Sequence, residues 1–305
     1  MIQNTLQCEH KYELYTEIKK LFHAGAQRLH TNYYGPKIYT DLQRLALLIL
    51  RTRCGYTYKR FCDEYLPESN WPRKLGLQEL PSSASVWRWS QRFDMSFLRK
   101  LNDQLLLDEK PEVLAIDGTG LDADSKTAHY AQRIHAPMKK GPKLDIIVDT
   151  DTLLVHDWSV LIKPRHDAYV AKRLLNRTAH SAVLILADKG YDSEGLYRIC
   201  YEKGNRLWAP IKNAPYSDKP PKKLGRYKKH SHKQETVDYH RRNLVESTIR
   251  SIKNRVRALR ARQHFMKKRE LALHILVRNI EIKISLLLRL VLARKLVLVR
   301  FAHTT

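Results

Sequence analysis

The sequence predicts an α/β fold, a mixed five-stranded sheet with flanking helices, preceded by an all-α region. Three observations lead there. Residues 1–108 place apolar side chains at helical spacing, most strongly in TDLQRLALLILRTR. From residue 111 to 211 the texture changes to short apolar runs separated by amphipathic helices. The order of those elements is three strands, helix, strand, helix, strand.

In the N-terminal region, KYELYTEIKKLFHAG sets Tyr12, Leu14, Tyr15, Ile18, Leu21 and Phe22 on a helical face. TDLQRLALLILRTR follows and is closed by Gly55, and Thr57 is the N-cap expected for TYKRFCDEYL. After Pro67 and Pro72, a further helix is predicted in LPSSASVWRWSQRF, capped by Ser83 or Ser85. A short helix, a glycine turn and a later helix bearing Arg88, Gln91 and Arg92 suit a helix-turn-helix reader of the major groove. Trp87 and Trp89 are expected in the core rather than against bases.

The second region opens with EVLAID, a buried strand ending at Asp117 before Gly118. In KLDIIVDTDTLLVHDWSVL, Ile146–Val148 and Leu153–Val155 flank a hairpin turn. HDAYVAKRLLNRT is a helix with His166 or Asp167 at its start. AVLILAD is a buried strand ending at Asp188, DSEGLYRICYEKG a helix closed by Gly204, and NRLWAPI the last strand. This order matches the ribonuclease H-like sheet, whose first and fourth strands end side by side. A ligand site beyond those ends agrees with the general rule for α/β sheets. Expected domains are 1–108 (helical, DNA-binding), 109–285 (catalytic) and 286–305 (a C-terminal amphipathic helix or tail).

Charge narrows the choice of partners. Lys and Arg number 56 against 31 Asp and Glu, for a net +25 in 305 residues. Residues 219–270 hold 18 of those bases and 4 acids, so +14 is concentrated there. Such a surplus repels itself unless a polyanion balances it, and nucleic acid is the usual one. Part of 213–235 is expected to be a solvated flexible segment. Cys8, Cys54, Cys62 and Cys200 form no C-x2-C pair, which speaks against a zinc site and a disulfide framework. MIQNTLQCEHKYE lacks the apolar core of a secretory signal. Arg289, Arg294, Lys295 and Arg300 interrupt ISLLLRLVLARKLVLVRF too often for a membrane span. A cytoplasmic, nucleoid-associated protein is expected, with no membrane partner.

The basic region contains Tyr239, Arg242, Glu246 and Lys253 in a Y-x2-R-x3-E-x6-K pattern. On a helix over 240–262, Arg242, Glu246, Arg250, Lys253 and Arg257 form one stripe. Val245, Ile249, Ile252, Val256 and Leu259 form the neighbouring one. The apolar stripe packs on a core, and the other presents a carboxylate among cations. With Asp117 and Asp188, Glu246 makes a third acid. Asp122, Asp124, Asp149, Asp192, His166 and Asp167 read instead as turn or capping residues, and His129, His135 and His240 as polar surface.

With these motifs in hand, the chain resembles a DDE transposase of the bacterial and archaeal insertion-sequence type over roughly 40–285, most strongly 111–282. The matching segments are Asp117-Gly118-Thr119, then Asp188 with Gly190, Tyr191 and Asp192, and then the Y-R-E-K signature. Only 58 positions separate Asp188 from Glu246, too few for the large β-rich insertion some relatives carry. The resemblance implies Asp117, Asp188 and Glu246 as catalytic metal ligands for two Mg²⁺ or Mn²⁺ ions. It implies Tyr239, Arg242 and Lys253 as phosphate contacts, joined by Arg250 and Arg257 on the same stripe and by Arg88 and Arg92 upstream. The expected partners are double-stranded DNA, as transposon end inverted repeats and target, and a second copy in a paired-end complex. The expected function is metal-dependent cleavage and strand transfer. The alternatives are a domesticated endonuclease and a catalytically silent DNA-binding regulator.

Overall fold

In the computed structural model, residues 14, 16–20, 37–121, 141–163, 165–212, 224–233, 237–256 and 259–302 are described. The chain divides into two compact units, Met1–Leu107 with Ala272–Thr305, and Asp108–Leu271.

In the first unit, α1 (Asp41–Cys54) begins at a reciprocal cap. Gln43 N donates to Thr40 Oγ1 at 3.2 Å, and Thr40 N donates to Gln43 Oε1 at 2.7 Å. Gly55, at φ 67°, ends the helix in the left-handed region where a side chain would be strained. Leu45 to Leu50 are buried without interruption, so this helix is enclosed on all sides. Thr57 caps the next helical run as expected, accepting from Arg60 N, and that run contains a π-helical turn at Phe61–Tyr65. Helix α2 (Ser83–Ser90) is capped by Ser82, one residue before the expected Ser83. Trp89 is buried and meets Tyr39 edge-on at 4.8 Å. Trp87 departs from expectation at 46% exposure, because two residues along a helix turn a side chain to the opposite face. Helix α3 (Met95–Leu105) joins this unit, with Asn279 donating to buried Asn102 at 2.8 Å.

The second unit is built on one sheet of order β3-β2-β1-β4-β5. Its strands are β1 (Val113–Gly120), β2 (Lys143–Asp149), β3 (Val155–Leu161), β4 (Leu184–Ala187) and β5 (Arg206–Trp208). The first three pair antiparallel; β4 and β5 run parallel to β1. This is the mixed five-stranded, ribonuclease H-like order that the sequence predicts. Helices α4 (Asp167–Arg177) and α5 (Glu194–Glu202) bury Val170, Leu174, Leu196 and Tyr197 against Leu114, Ile116, Ile147 and Ile185. Helix α6 (Arg226–His232) starts on Glu194, whose carboxylate accepts from Tyr227 N at 2.8 Å. It thus gives helical order to part of the segment expected to be flexible. Helix α7 (Asn243–Val256) packs on β1 and β2 through Val245, Ile249 and Ile252. Helix α8 runs His264–Ala302, its first turns in this unit and the rest in the other.

Several boundaries differ from the sequence reading: the β2–β3 turn takes in Leu153 and Leu154, expected in the second hairpin strand, so that β3 begins only at Val155. Strand β1 does not stop at Asp117 but continues to Gly120, because β2 keeps pairing with it there. The motif helix ends at Val256 rather than near 262, and Tyr239–Arg242 form a separate 3-10 turn before it. Tyr239 therefore stands off the helical stripe, one tighter turn away. Among the described residues, no helix is long and apolar enough to cross a membrane. Among the described residues, Cys54, Cys62 and Cys200 form no disulfide.

Candidate active site

Pairing register assembles the site. The parallel β1–β4 ladder ends at Ile116 opposite Ala187, the residues immediately before Asp117 and Asp188. The two aspartates thus stand side by side where that ladder ends, Asp117 still paired with β2, although 71 positions separate them in sequence. Asp117 Oδ1 accepts from Gly118 N at 2.8 Å, and Asp188 Oδ1 accepts from Lys189 N at 2.6 Å, capping a 3-10 turn that Tyr191 N closes by donating to Asp188 O at 2.9 Å.

The third acid arrives on α7, whose apolar face is seated on β1 and β2. Between the acids lies Arg242. Its Nη2 donates to Asp117 Oδ2 at 3.0 Å and its Nη1 to Glu246 Oε1 at 2.8 Å. Asp117 and Arg242 are largely enclosed, whereas Glu246 is 55% exposed. Burial lifts the Asp117 carboxyl above its ordinary range; the Gly118 amide and Arg242 oppose this, and the like charges of Asp188 and Glu246 add to it. For Arg242, burial works against the charge, but Asp117, Tyr239, Asp188 and Glu246 outweigh it and hold the guanidinium above its usual value.

Tyr239 fixes the turn that aims Arg242. Its hydroxyl donates to Ala187 O at 3.3 Å, one residue before Asp188, and its ring meets Trp208 at 4.7 Å. Arg241, next to it, pairs with Asp151 of the β2–β3 turn. Glu246, Arg250, Ser247, Ser251, Asn243, Asn254 and Arg255 line a groove of roughly 600 Å³ along α7. Lys253 is exposed on the same helix. Arg257 lies outside the described residues, as do Asp122, Asp124, His129 and His135. In the first unit, Arg88 is exposed, and Arg92 reaches Asp41 at 3.7 Å.

Behind the site, register brings in a residue that the sequence does not single out. Asp145 stands opposite Gly118 and is 1% exposed. Its Oδ1 fills the space a Cβ would take at Gly118, which explains the glycine after Asp117. Lys143 Nζ lies 3.1 Å from Asp145 Oδ1, an ion pair without the alignment of a hydrogen bond, and donates to Asp167 and to Arg165 O. Burial raises the Asp145 carboxyl to about 6, against the pull of Lys143. Asp149 forms its turn, accepting from Asp151 N at 3.0 Å, and His166 caps α4, both as expected. Asp192, expected as a turn or capping residue, instead pairs with Lys228 at 2.6 Å. No alternation or short motif marks these pairs; only the folded register does.

The family described as Transposase DDE domain matches residues 108–280, more than half of the chain. The chain belongs to the transposase DDE domain family. It is a DNA transposase by that membership, and the match spans the sheet, both aspartates and α7. Among curated proteins nothing matches. The chain is also similar to solved structures, among them the following. The catalytic core domain of BIV integrase aligns at 15% identity and TM-score 0.29, over 53% of this chain and 80% of that one. The piggyBac transposase synaptic complex with hairpin DNA aligns at 13% identity and TM-score 0.33, over 68% of this chain and 52% of that one.

The donor set suits a hard cation. Three carboxylates offer only oxygen, the choice of Mg²⁺ and Mn²⁺, and mutual repulsion around Asp117 is what a divalent ion relieves. Among the described residues, no three His, Cys, Asp or Glu side chains stand close enough to hold an ion in the present arrangement. Arg242 takes the position between Asp117 and Glu246 instead.

Proposed function

We propose that this transposase binds the ends of its element, cuts them and joins them to target DNA, with Asp117, Asp188 and Glu246 as the catalytic acids. The observation that supports this most is the β1–β4 register, which ends beside both aspartates, with α7 bringing Glu246 to the same sheet edge through Arg242. Asp117 would be shared between two Mg²⁺ or Mn²⁺ ions, with Asp188 and Glu246 each completing one. When bound, such a pair stabilises charge on the attacking and leaving oxygens of an in-line displacement.

The remaining residues hold DNA. Arg242 offers a fork that matches phosphate oxygens, and Lys253 a point charge on the exposed face of α7. Arg250 lines the groove that begins at Glu246 and extends the same cationic surface. Tyr239, its hydroxyl already engaged by Ala187 O, orients Arg242 rather than competing for phosphate. Arg257 continues the series in sequence. Arg88, exposed on α2, and Arg92 supply the upstream DNA contact of a helix-turn-helix-like region. The partner is double-stranded DNA, as inverted-repeat ends and target, held by a homodimer; the site of action is the cytoplasm, on the nucleoid.

Labelled DNA carrying the element's own ends, incubated with Mg²⁺ or Mn²⁺, tests this reading. Wild type is expected to nick and join, and Glu246→Gln to bind the ends but lose both products by 10²-fold or more, on the order of a missing essential group. Binding without cleavage in both proteins would refute the reading and favour a regulator. Cleavage without joining would leave a metal-dependent endonuclease.

A further inference from the structure

A single guanidinium joins two carboxylates assigned to metal. Arg242 donates through Nη2 to Asp117 on β1 and through Nη1 to Glu246 on α7. Its Nε is buried and finds no acceptor among the described residues, so one donor remains for another oxygen. Asp117 and Glu246 are held by this cation, and among the described residues no three acids stand where they could reach one ion. Metal and Arg242 therefore require the same carboxylates, and one must give way.

The surroundings show which part moves. The backbone before Arg242 is pinned, since the Tyr239 hydroxyl is tied to Ala187 O and its ring meets Trp208 at a tilt, 4.7 Å between centroids. Glu246 is half open to solvent while the Arg242 side chain is only 14% exposed. Release by side-chain rotation toward the open Glu246 side needs no change in the sheet. A phosphate diester presents to a guanidinium the same fork of two oxygens that a carboxylate does.

We infer that Arg242 is an internal counterion that excludes divalent metal from Asp117 and Glu246 until a DNA phosphate takes its guanidinium, so that the metal site is completed on the substrate. This rests on the assignment of those acids as metal ligands. By linkage, DNA strengthens metal binding and metal strengthens DNA binding by the same factor. A DNA-free enzyme with little bound metal is then spared idle hydrolytic chemistry.

Mn²⁺ binding, followed by the electron paramagnetic resonance of free Mn²⁺, tests the clamp without measuring activity. In DNA-free protein, Arg242→Gln is expected to bind Mn²⁺ about tenfold or more tightly than wild type, a usual size for coupling between competing sites. Arg242→Lys, whose ammonium cannot fork to both acids, falls between them and serves if Arg242→Gln does not fold. A short linear DNA duplex raises the affinity of wild type and changes Arg242→Gln much less. Unchanged or weaker Mn²⁺ binding by Arg242→Gln, in a site still abolished by Asp117→Asn, overturns the clamp alone. Mn²⁺ binding indifferent to Asp117→Asn in both backgrounds overturns the clamp together with the catalytic assignment.

Discussion

Gly118 is fixed by what lies across the strand. Asp145 Oδ1 occupies the place of the missing Cβ, and Lys143 Cε approaches to 3.1 Å, so a methyl group there must displace a buried ion pair. Gly118→Ala is expected to destabilise the fold by about 1–3 kcal/mol, the usual cost of overpacking. Urea denaturation measures this, and the loss should shrink in an Asp145→Ala background. Asp145 also makes a pH-dependent prediction. Its carboxyl is raised to about 6 in the fold, from 3.8 in an exposed chain. The protonated form is the one the fold favours, so this contribution is full below pH 4 and is lost as pH rises through 6. The stability of wild type relative to Asp145→Asn should therefore fall by on the order of 3 kcal/mol across that window and be level above it. A flat difference from pH 4 to 7 would remove Asp145 from this role. The contrast between residues is instructive. Asp117 and Asp188 were legible because each follows an apolar run and opens a short glycine-containing motif. Asp145 sits inside the apolar run KLDIIVD, where nothing but cross-strand register reveals what it supports.

At the scale of elements, α7 shows how far periodicity carries. The spacing of Val245, Ile249, Ile252 and Val256 predicts a buried stripe, and all four are buried. Ile252→Ala should cost about 2–5 kcal/mol as a core truncation, and Ser247→Ala on the opposite, exposed face less than about 0.5 kcal/mol. Similar losses for both in thermal melts would mean the helix does not pack through that stripe. The ends were less legible. The same pattern extended into Tyr239 and Leu259, yet the first turn tightens to 3-10 where Tyr239 is drawn to Ala187 O. A side chain fixed by a distant strand end overrides local spacing, and the sequence shows no sign of that partner. The cap of α2 was missed by one residue for a related reason: Ser82, Ser83 and Ser85 all fit the rule, and backbone direction chooses Ser82.

For the molecule as a whole, the candidate site is a property of topology. Asp117, Asp188 and Glu246 span 129 positions and belong to separate elements. They come to one end of the sheet because β4 pairs parallel to β1 and α7 lies across β1 and β2. The order of elements in the sequence anticipated this strand order, since three leading strands with a hairpin and two later strands with intervening helices leave few ways to build one sheet. The ion pairs around Arg242 were not anticipated, because spacing gives which residues share a face but not which charges meet. The excess of basic residues puts +14 of +25 between 219 and 270, and Arg250 and Arg255 line the groove that holds Glu246, a combination suited to phosphate. The central claim is that these acids contact metal in the reacting complex. Its most direct measurement is strand cleavage by the full chain carrying Asp117→Cys, compared in Mg²⁺ and Mn²⁺. A thiolate is a poor ligand for Mg²⁺ and a better one for Mn²⁺. Cleavage is expected to be lost in Mg²⁺ and partly restored in Mn²⁺; wild-type cleavage by Asp117→Cys in Mg²⁺ would rule out metal contact by Asp117.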